Sequence, residues 1–449
     1  MATTYLTRTF GTETNRKIWT WSAWVKRTNL VANYQNALFA AYENSSNRSV
    51  LRFNEHKLNL QDTDNSVEIK TNRLFKDISA WYHIVVRVDT TQGTASNRVR
   101  MYVNGVQETS FATANYPDQN DNMKMNANCL HYINARSGSG SVESIASMVY
   151  SHVHFSDGSS LAPTVFGSTD STTGEWKINT SPSFTPGNNG FTILKDGNGV
   201  TDVSANSNNW TINVGSGGGL SKTQDNPSNV FATLNALAKP GAGNLPSFGN
   251  GNTHYNKTGT GSGNNSMVVA TLGATTGKFY YEYKMNDSNA FIAGISTLDG
   301  TYYDANGGSM NTSQGVGVAY QSSGNKIING TSSSYGNSYG SGDIIGVAFD
   351  LVNNVIYFSK NGTFQNSGNP TSGSSGTGGI GISTTGVIYA PFAQNNGYNS
   401  ASSVHYNFGN GSFANNPISS AGTNASGNGI FEYDVPSGYT ALSTKGLNL

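Results

Sequence analysis

One cysteine, Cys129, stands in 449 residues. No intrachain disulfide framework can form, so the fold rests on packing and hydrogen bonds, as suits a reducing cytoplasm. The thiol itself reads as an inert buried side chain. Charge is also scarce: Asp, Glu, Lys and Arg make up 12% of the chain, against roughly 25% in ordinary soluble domains. The 26 basic and 26 acidic residues cancel, and no cluster of Lys or Arg stands out. That removes the electrostatic footprint expected for nucleic acid or anionic lipid. No run approaches the ~20 uninterrupted apolar residues of a membrane-spanning helix. The opening M-A-T-T-Y-L-T-R-T-F lacks the basic flank and apolar core of a signal peptide. Nucleic acid, membrane insertion and Sec-type export are therefore not expected. A heptad pattern that could trimerise the chain is missing too.

What the chain has instead is glycine, 53 residues of it, with Asn, Ser and Thr between short apolar runs. The most informative stretch is Val347–Gly368, V-A-F-D-L-V-N-N-V-I-Y-F-S-K-N-G-T-F-Q-N-S-G. Two apolar runs hinge at Asn353–Asn354, and a second turn follows at Asn361–Gly362. Asn and Gly tolerate the positive φ of tight hairpin turns, and Val, Ile, Tyr and Phe suit a pleated, half-buried surface. Arg98–Gln107 repeats the device, with Tyr102–Val103 running into Asn104–Gly105.

Around these hairpins, strands are expected throughout. Thr4–Phe10 alternates weakly and suits an edge strand. Trp19, Trp21, Ala23 and Val25 share one face of the next strand and read as core, with Trp24 on the other face. Ile84–Val88 is apolar enough for a central strand covered on both sides. In Leu220–Gly251, Pro227, Pro240 and Pro246 mark an ordered connector, with a short helix at Phe231–Leu237. Further strands at Met267–Leu272, Lys278–Met285, Ala290–Ser296, Val316–Tyr320, Ile344–Asp350, Val355–Ser359 and Val387–Phe392 have the spacing of a sandwich.

V-A-F-D-L-V-N-N-V-I-Y-F-S-K-N-G, preceded by G-K-F-Y-Y-E-Y at Gly277–Tyr283, resembles the core of a SPRY domain. W-T-W-S-A-W-V-K-R at Trp19–Arg27, W-Y-H-I-V-V-R-V-D at Trp81–Asp89 and Y-V-N-G at Tyr102–Gly105 resemble a concanavalin A-like or laminin-G-like jelly roll. The Gly190–Leu194 strand would, by that resemblance, return beside the N-terminal strand. With D-N-P-S-N-V-F-A-T-L-N at Asp225–Asn235 and P-S-G-Y-T-A-L-S-T-K at Pro436–Lys445, the order of the two resembles structural proteins of tailed bacteriophages, especially marine ones.

The expected fold is all-β: two tandem antiparallel β-sandwiches with an ordered linker and a short C-terminal tail. Their bounds are 1–215 for the jelly roll, 216–251 for the linker, 252–412 for the SPRY-like sandwich and 413–449 for the tail.

No paired-carboxylate run of the glycosidase kind is present. Glu43, Glu55, Glu68, Glu108, Glu143, Glu175, Glu282 and Glu432 stand apart, so the chain is not expected to be an enzyme. His152 and His154 share a strand face without a carboxylate, which is poor zinc chemistry. The laminin-G and pentraxin resemblance brings calcium as the one candidate cofactor, held by hard oxygen donors in D-T-D-N and D-Q-N-D-N at Asp62, Asp64, Asp118 and Asp121. Loop tyrosines supply the binding candidates: Tyr302, Tyr303, Tyr335, Tyr339 and Tyr398, set among Gly, Ser and Asn as in antibody loops. Packing of these same rings is the competing expectation.

The resemblance implies a virion-surface protein, a fibre, spike or head decoration, assembled in the host bacterial cytoplasm and recognising a host glycan or protein. Its partners would be other virion proteins and further copies of itself, a trimer among the forms. The alternatives are a purely structural virion component and a glycan-processing enzyme without the usual motif.

Overall fold

In a computed structural model, the structure describes residues 4–30, 35–195, 199–215, 220–221, 223–238, 245–258, 267–297, 317–382, 386–395 and 401–448. Strands dominate, and among the described residues the one α-helical turn is Ala95–Arg98. The chain divides into two compact units, Met1–Leu220 and Ser221–Leu449.

In unit 1 the eight-stranded sheet runs in the order Phe111–Asn115, Val67–Thr71, Lys57–Asp62, Arg48–Asn54, Gln35–Tyr42, Leu130–Ile133, Thr4–Thr9, Thr211–Val214. The six-stranded sheet runs Phe191–Ile193, Met148–Asp157, Ile18–Arg27, Trp81–Asp89, Val99–Val103, Val106–Gln107. Between them lies a core in which Trp19, Trp21, Ile84, Val86 and Phe155 of one sheet meet Leu6, Phe39, Leu51 and Ile69 of the other. Trp81–Asp89 is covered on both faces, because Val85 packs outward under Phe166.

Two expectations are corrected here. Thr4–Thr9 is not an edge strand, since it pairs with Leu130–Ile133 on one side and Thr211–Val214 on the other. The strand that returns to it is Thr211–Val214, whereas Phe191–Ile193 pairs with Met148–Asp157. Leu6 sits opposite both Ile133 and Ile212, and it is this three-strand apolar row that places the N-terminal strand inside the sheet.

Unit 2 has a nine-stranded sheet with the path Ser247–Gly249, His254–Lys257, Ser402–Asn407, Lys278–Met285, Ile344–Asp350, Val355–Lys360, Thr363–Phe364. Ile380–Gly381 and Thr440–Ala441 add to it from outside that path. Against it lies a six-stranded sheet, Met267–Val269, Tyr389–Asn395, Phe291–Thr297, Gly317–Gln321, Asn325–Ile328, Thr331–Ser334. Tyr281, Tyr283, Met285, Val347 and Tyr406 face Val268, Ile295, Val318 and Ala393 across the core.

The expected turns have a physical basis. Asn361 and Gly362 have φ of 49° and 81°, and Asn104 and Gly105 have 49° and 78°, the pair of positive values a type I′ turn requires. At the other hinge, Asp350 accepts from the backbone N–H of Val352 and Asn353, both at 2.9 Å. Its side chain thereby organises the four-residue connection.

The segments expected as linker and tail are instead built into unit 2. Phe231 bridges Ser443, and Leu234 bridges Ala270. No helix forms at Phe231–Leu237, because Phe231 and Leu234 are drawn into two different apolar clusters. Thr440–Ala441 pairs parallel with Phe279–Tyr280. Phe231, Phe431, Val435 and Tyr439 cover the face of the nine-stranded sheet that carries Tyr280 and Tyr357. Four large apolar side chains have no reason to stay in solvent when each stabilises by about 1.5–3 kcal/mol on burial.

Candidate functional site

The loop tyrosines divide. Tyr302, Tyr303 and Tyr398 lie outside the described residues. Tyr339 is not a surface contact. It is 5% exposed, donates to the Tyr320 carbonyl at 2.9 Å and receives the Tyr283 hydroxyl at 2.9 Å. Burial drives its own hydroxyl far above the usual phenol range. A ring with its hydroxyl fully engaged in the core leaves nothing to offer a ligand. Tyr335 is half-buried and stands edge-on to Tyr320 and Phe358, with ring centres 5.5 and 6.1 Å away. Burial pushes its hydroxyl up to about 12. One edge of Tyr335 supports the core, while the sequence leading into it, Thr331–Ser334, is fully exposed.

The acidic loops of unit 1 do come together: the Asn65 amide donates to the Asn122 carbonyl at 3.3 Å. A cation already sits there. The Lys124 ammonium lies 2.5 Å from Glu43 and 3.7 Å from Asp64, and the residue is 8% exposed. Asp62 is wholly buried. It accepts from Ser49 Oγ, from the Lys124 backbone N–H at 2.8 Å, and from the Asn65 backbone and amide at 3.2 and 3.3 Å. Burial pushes its carboxyl above the usual range, against the pull of these donors. Asp121 accepts from the Asp118 backbone N–H at 2.7 Å, so this carboxylate closes its own loop. Calcium needs six to eight oxygens converging at 2.3–2.6 Å. Here N–H and O–H donors point at the Asp62 carboxylate, so its oxygens do not fit the ion. Among the described residues no three His, Cys, Asp or Glu side chains converge to hold a metal.

Sequence reading missed a third cluster, on the outer face of the six-stranded sheet of unit 1. His83 stacks between Trp24 and Trp176, with ring centres 4.9 and 5.9 Å away. Ser22 Oγ is 2.9 Å from His83 Nε2, a spacing that suggests a nucleophile and its base. The tautomer argues otherwise. The Trp176 indole N–H donates to His83 Nδ1 at 2.9 Å, so the single imidazole proton sits on Nε2 and is donated to Ser22. Such a histidine cannot accept the serine proton, and burial holds it down to about 3. Trp176 closes on Gly105, where a Cβ would stand 2.4 Å from the indole ring. That glycine thus serves both the turn and the ring above it. The visible signal was Trp176 itself, an isolated aromatic in a polar segment.

His152 and His154 have ring centres 6.3 Å apart. A bulge separates them, Nδ1 of His152 faces Ser151 Oγ at 2.7 Å, and Nδ1 of His154 faces Thr192 Oγ1 at 3.0 Å.

Glu282 is the fourth candidate, and the one best defined by its partners. It is fully buried on the outer face of the nine-stranded sheet. It accepts from the backbone N–H of Glu432 and Tyr433, both at 2.9 Å, and from Asn407 Nδ2 and the Tyr280 hydroxyl, both at 3.1 Å. Burial pushes its carboxyl up to about 7 although all four donors pull it down. The carboxylate clasps the C-terminal segment onto the sheet. Three further glutamates of the sequence reading are ion-paired: Glu55 with Lys70, Glu108 with Arg73 and Glu143 with Arg136.

The architecture is therefore that of two lectin-like β-sandwiches in tandem, a class whose members are often binding modules. Residues 2–130 match the concanavalin A-like lectin/glucanases superfamily, in its laminin-G form, and residues 278–409 match the SPRY domain. The first match lies within unit 1 and the second within unit 2. No curated protein matches the chain in sequence.

Among solved structures, the SPRY domain of human HERC1 is similar at 20% identity, covering 36% of this chain and 91% of that one, with a TM-score of 0.26. The TRIM65 PSpry domain is similar at 11% identity, covering 39% and 91%, with a TM-score of 0.28. A heptameric SAP-like pentraxin from Limulus polyphemus is similar at 15% identity, covering 36% and 72%, with a TM-score of 0.27.

Proposed function

We propose that this chain is a non-enzymatic surface protein of a tailed-bacteriophage virion, a fibre, spike or head decoration that recognises a host-surface glycan or protein. The observation that supports it best is the pairing of two binding-type sandwiches with a surface that carries little charge. Such a surface resists non-specific adhesion and leaves recognition to shape, aromatic rings and amide hydrogen bonds. Single contacts of this kind are weak, and copies on one particle multiply them. Further copies of the chain and other virion proteins are then its structural partners. It folds in the host cytoplasm and ends on the particle exterior. The Ser22–His83 pair, with its proton on the wrong nitrogen for a base, supports recognition over catalysis.

The test is immunogold labelling of intact particles with antibody to the chain, combined with competition of particle adsorption by the purified chain. Label on the exterior and competition that weakens in Tyr302→Ala, Tyr303→Ala and Tyr398→Ala are expected. Exterior label without competition, even with the chain displayed multivalently, would leave a virion component that packs on its neighbours and touches no host.

A further inference from the structure

The outer face of the nine-stranded sheet in unit 2 carries a row of basic side chains. Tyr255, Tyr283, Val404 and Tyr406 point into the core, so alternation turns His254, Lys284 and His405 outward. The register sets His405 directly opposite His254 on one neighbouring strand and opposite Lys284 on the other. The two imidazoles stack, with ring centres 4.1 Å apart and planes 28° from parallel. His405 is 8% exposed, and its Nδ1 is buried without a hydrogen-bond partner. His254 Nε2 lies 3.0 Å from Ser403 Oγ.

Among the described residues no carboxylate pairs with this row, Glu432 of the C-terminal segment included. Glu282, two residues before Lys284 on the same strand, is enclosed by its four donors. Asp287 accepts from the backbone N–H of Ser403 at 2.6 Å and of Asn289 at 3.0 Å. Asp343, at the start of the neighbouring Ile344–Asp350 strand, pairs with Lys360 at 3.1 Å. Lys257 turns to the opposite sheet, where its ammonium donates to Asn395 Oδ1 at 3.1 Å. Ser247–Gly249, the strand beyond His254, has no titratable side chain.

Such a place suits neutral rings. A proton on either imidazole sets like charges opposite each other and charges a group shut from water. Burial first, then the charges of His254 and Lys284, hold His405 down to about 3, and burial holds His254 low. Opening returns both toward their ordinary 6.5, so opening takes up protons. The pairing is therefore strongest above pH 6.5 and weakens as pH falls toward the folded values. The strand free to open is His254–Lys257. With Ser247–Gly249 it forms the edge of the sheet, and it pairs inward with Ser402–Asn407 alone.

We propose that the His254–His405 stack, backed by Lys284, is an acid-operated latch: protonation of the pair opens Ser247–Gly249 and His254–Lys257 from the sheet and leaves Ser402–Asn407 as a free edge. The freed edge offers unpaired backbone N–H and C=O groups to another strand. Tyr255 opposes the opening. Its ring stands edge-on to Phe291 at 5.5 Å, and its hydroxyl accepts from the Asn395 backbone N–H at 3.2 Å. The open fraction therefore grows with acidity against that anchor.

The test is amide hydrogen exchange of the full chain at pH 7 and pH 4.5, read as protection factors so that the intrinsic pH dependence of exchange cancels. Protection across His254–Lys257 in the wild type should fall about a hundredfold, roughly ten for each of the two pH units below 6.5. Ile344–Asp350, in the middle of the same sheet, should lose less, because its opening also frees Glu282, whose protonation acts in the opposite sense. His405→Phe keeps a ring in the stack without a proton to gain, and its loss should be at least tenfold smaller than that of the wild type. His254→Gln changes a half-buried position and decides the matter if circular dichroism shows His405→Phe to be unfolded. Its loss should be at least threefold smaller than that of the wild type.

Protection that does not change with pH, or a loss in the folded variant equal to that of the wild type, overturns the latch. An equal loss in Ile344–Asp350 and His254–Lys257 overturns it too, since the whole sheet would then open at once.

Discussion

All six tryptophans lie in unit 1, whereas fifteen of the twenty-three tyrosines lie in unit 2, and the two cores are held differently as a result. In unit 1, Trp19, Trp21, Trp24 and Trp210 are buried with no hydrogen-bond partner for the indole N–H. Their contribution is area and ring contact, bought at the cost of an unsatisfied donor. In unit 2 the buried hydroxyls are used. Tyr281 donates to the Gly294 carbonyl at 2.7 Å, Tyr406 to that of Phe392 at 3.1 Å and Tyr439 to that of Pro370 at 3.1 Å. A tyrosine core specifies register through directional bonds, while a tryptophan core tolerates more rearrangement for the same buried area. The outer layers differ in the same sense. Stacked neutral rings attach the covering segment in unit 1, and a buried carboxylate attaches it in unit 2.

The largest effect that sharpens this contrast is expected at Trp21, which is fully buried and stacks on Phe39 at 6.2 Å. Trp21→Ala should destabilise unit 1 by about 3–5 kcal/mol. Fluorescence-detected urea unfolding reads it directly, since every tryptophan belongs to that unit.

Glu282 gives the next effect, with a defined pH window. Its folded carboxyl titrates at about 7, above its ordinary 4.5, so between those values the folded state binds the proton that the unfolded state has released. Stability from this group is full below about pH 4.5 and falls as pH rises through 7, by up to about 3 kcal/mol at 1.4 kcal/mol per pH unit. His254 and His405, held low by burial, act in the opposite direction below their ordinary 6.5. The contribution of Glu282 is therefore read as a difference. Wild-type unit 2 should lose stability between pH 5 and 7 relative to Glu282→Gln, measured by circular dichroism during urea unfolding. Parallel pH profiles would remove the ionisable clasp from the account.

A smaller effect is expected from Tyr339→Phe. It removes one buried hydroxyl, strands the Tyr283 donor, and should cost about 1–2 kcal/mol. An unchanged midpoint would erase the distinction between the two cores. Smallest of all, a calcium chelator should leave the unfolding midpoint of unit 1 unchanged, because Lys124 already pairs with Asp64 and protein donors already engage Asp62. A clear drop would restore calcium there.

How far the sequence carried depended on whether a structural demand leaves a mark on the residues that meet it. Positive φ does, so Asn104–Gly105 and Asn361–Gly362 announced their hairpins. Period-2 alternation does too, which is why Trp19 and Trp21 could be placed in a core. The clasp at Glu282 could not be read, since two of its partners are backbone N–H groups 150 residues away and any residue supplies those. The acidic loops misled because aspartate and asparagine make Asx turns and calcium ligands from the same atoms. Only the position of Lys124 separates the two. Tyr339 in a glycine-rich segment looked like a loop contact, yet its ring reaches back into the core between Tyr283 and Tyr320.

The proposed function, in its glycan form, is recognition of a host-surface carbohydrate without chemistry upon it. The most direct measurement is a glycan array probed with the full chain in multivalent form, with the retained glycans then assayed for new reducing ends. Saturable retention of a defined set of glycans, all left intact, is the predicted result; no retention, or release of reducing ends, would contradict it.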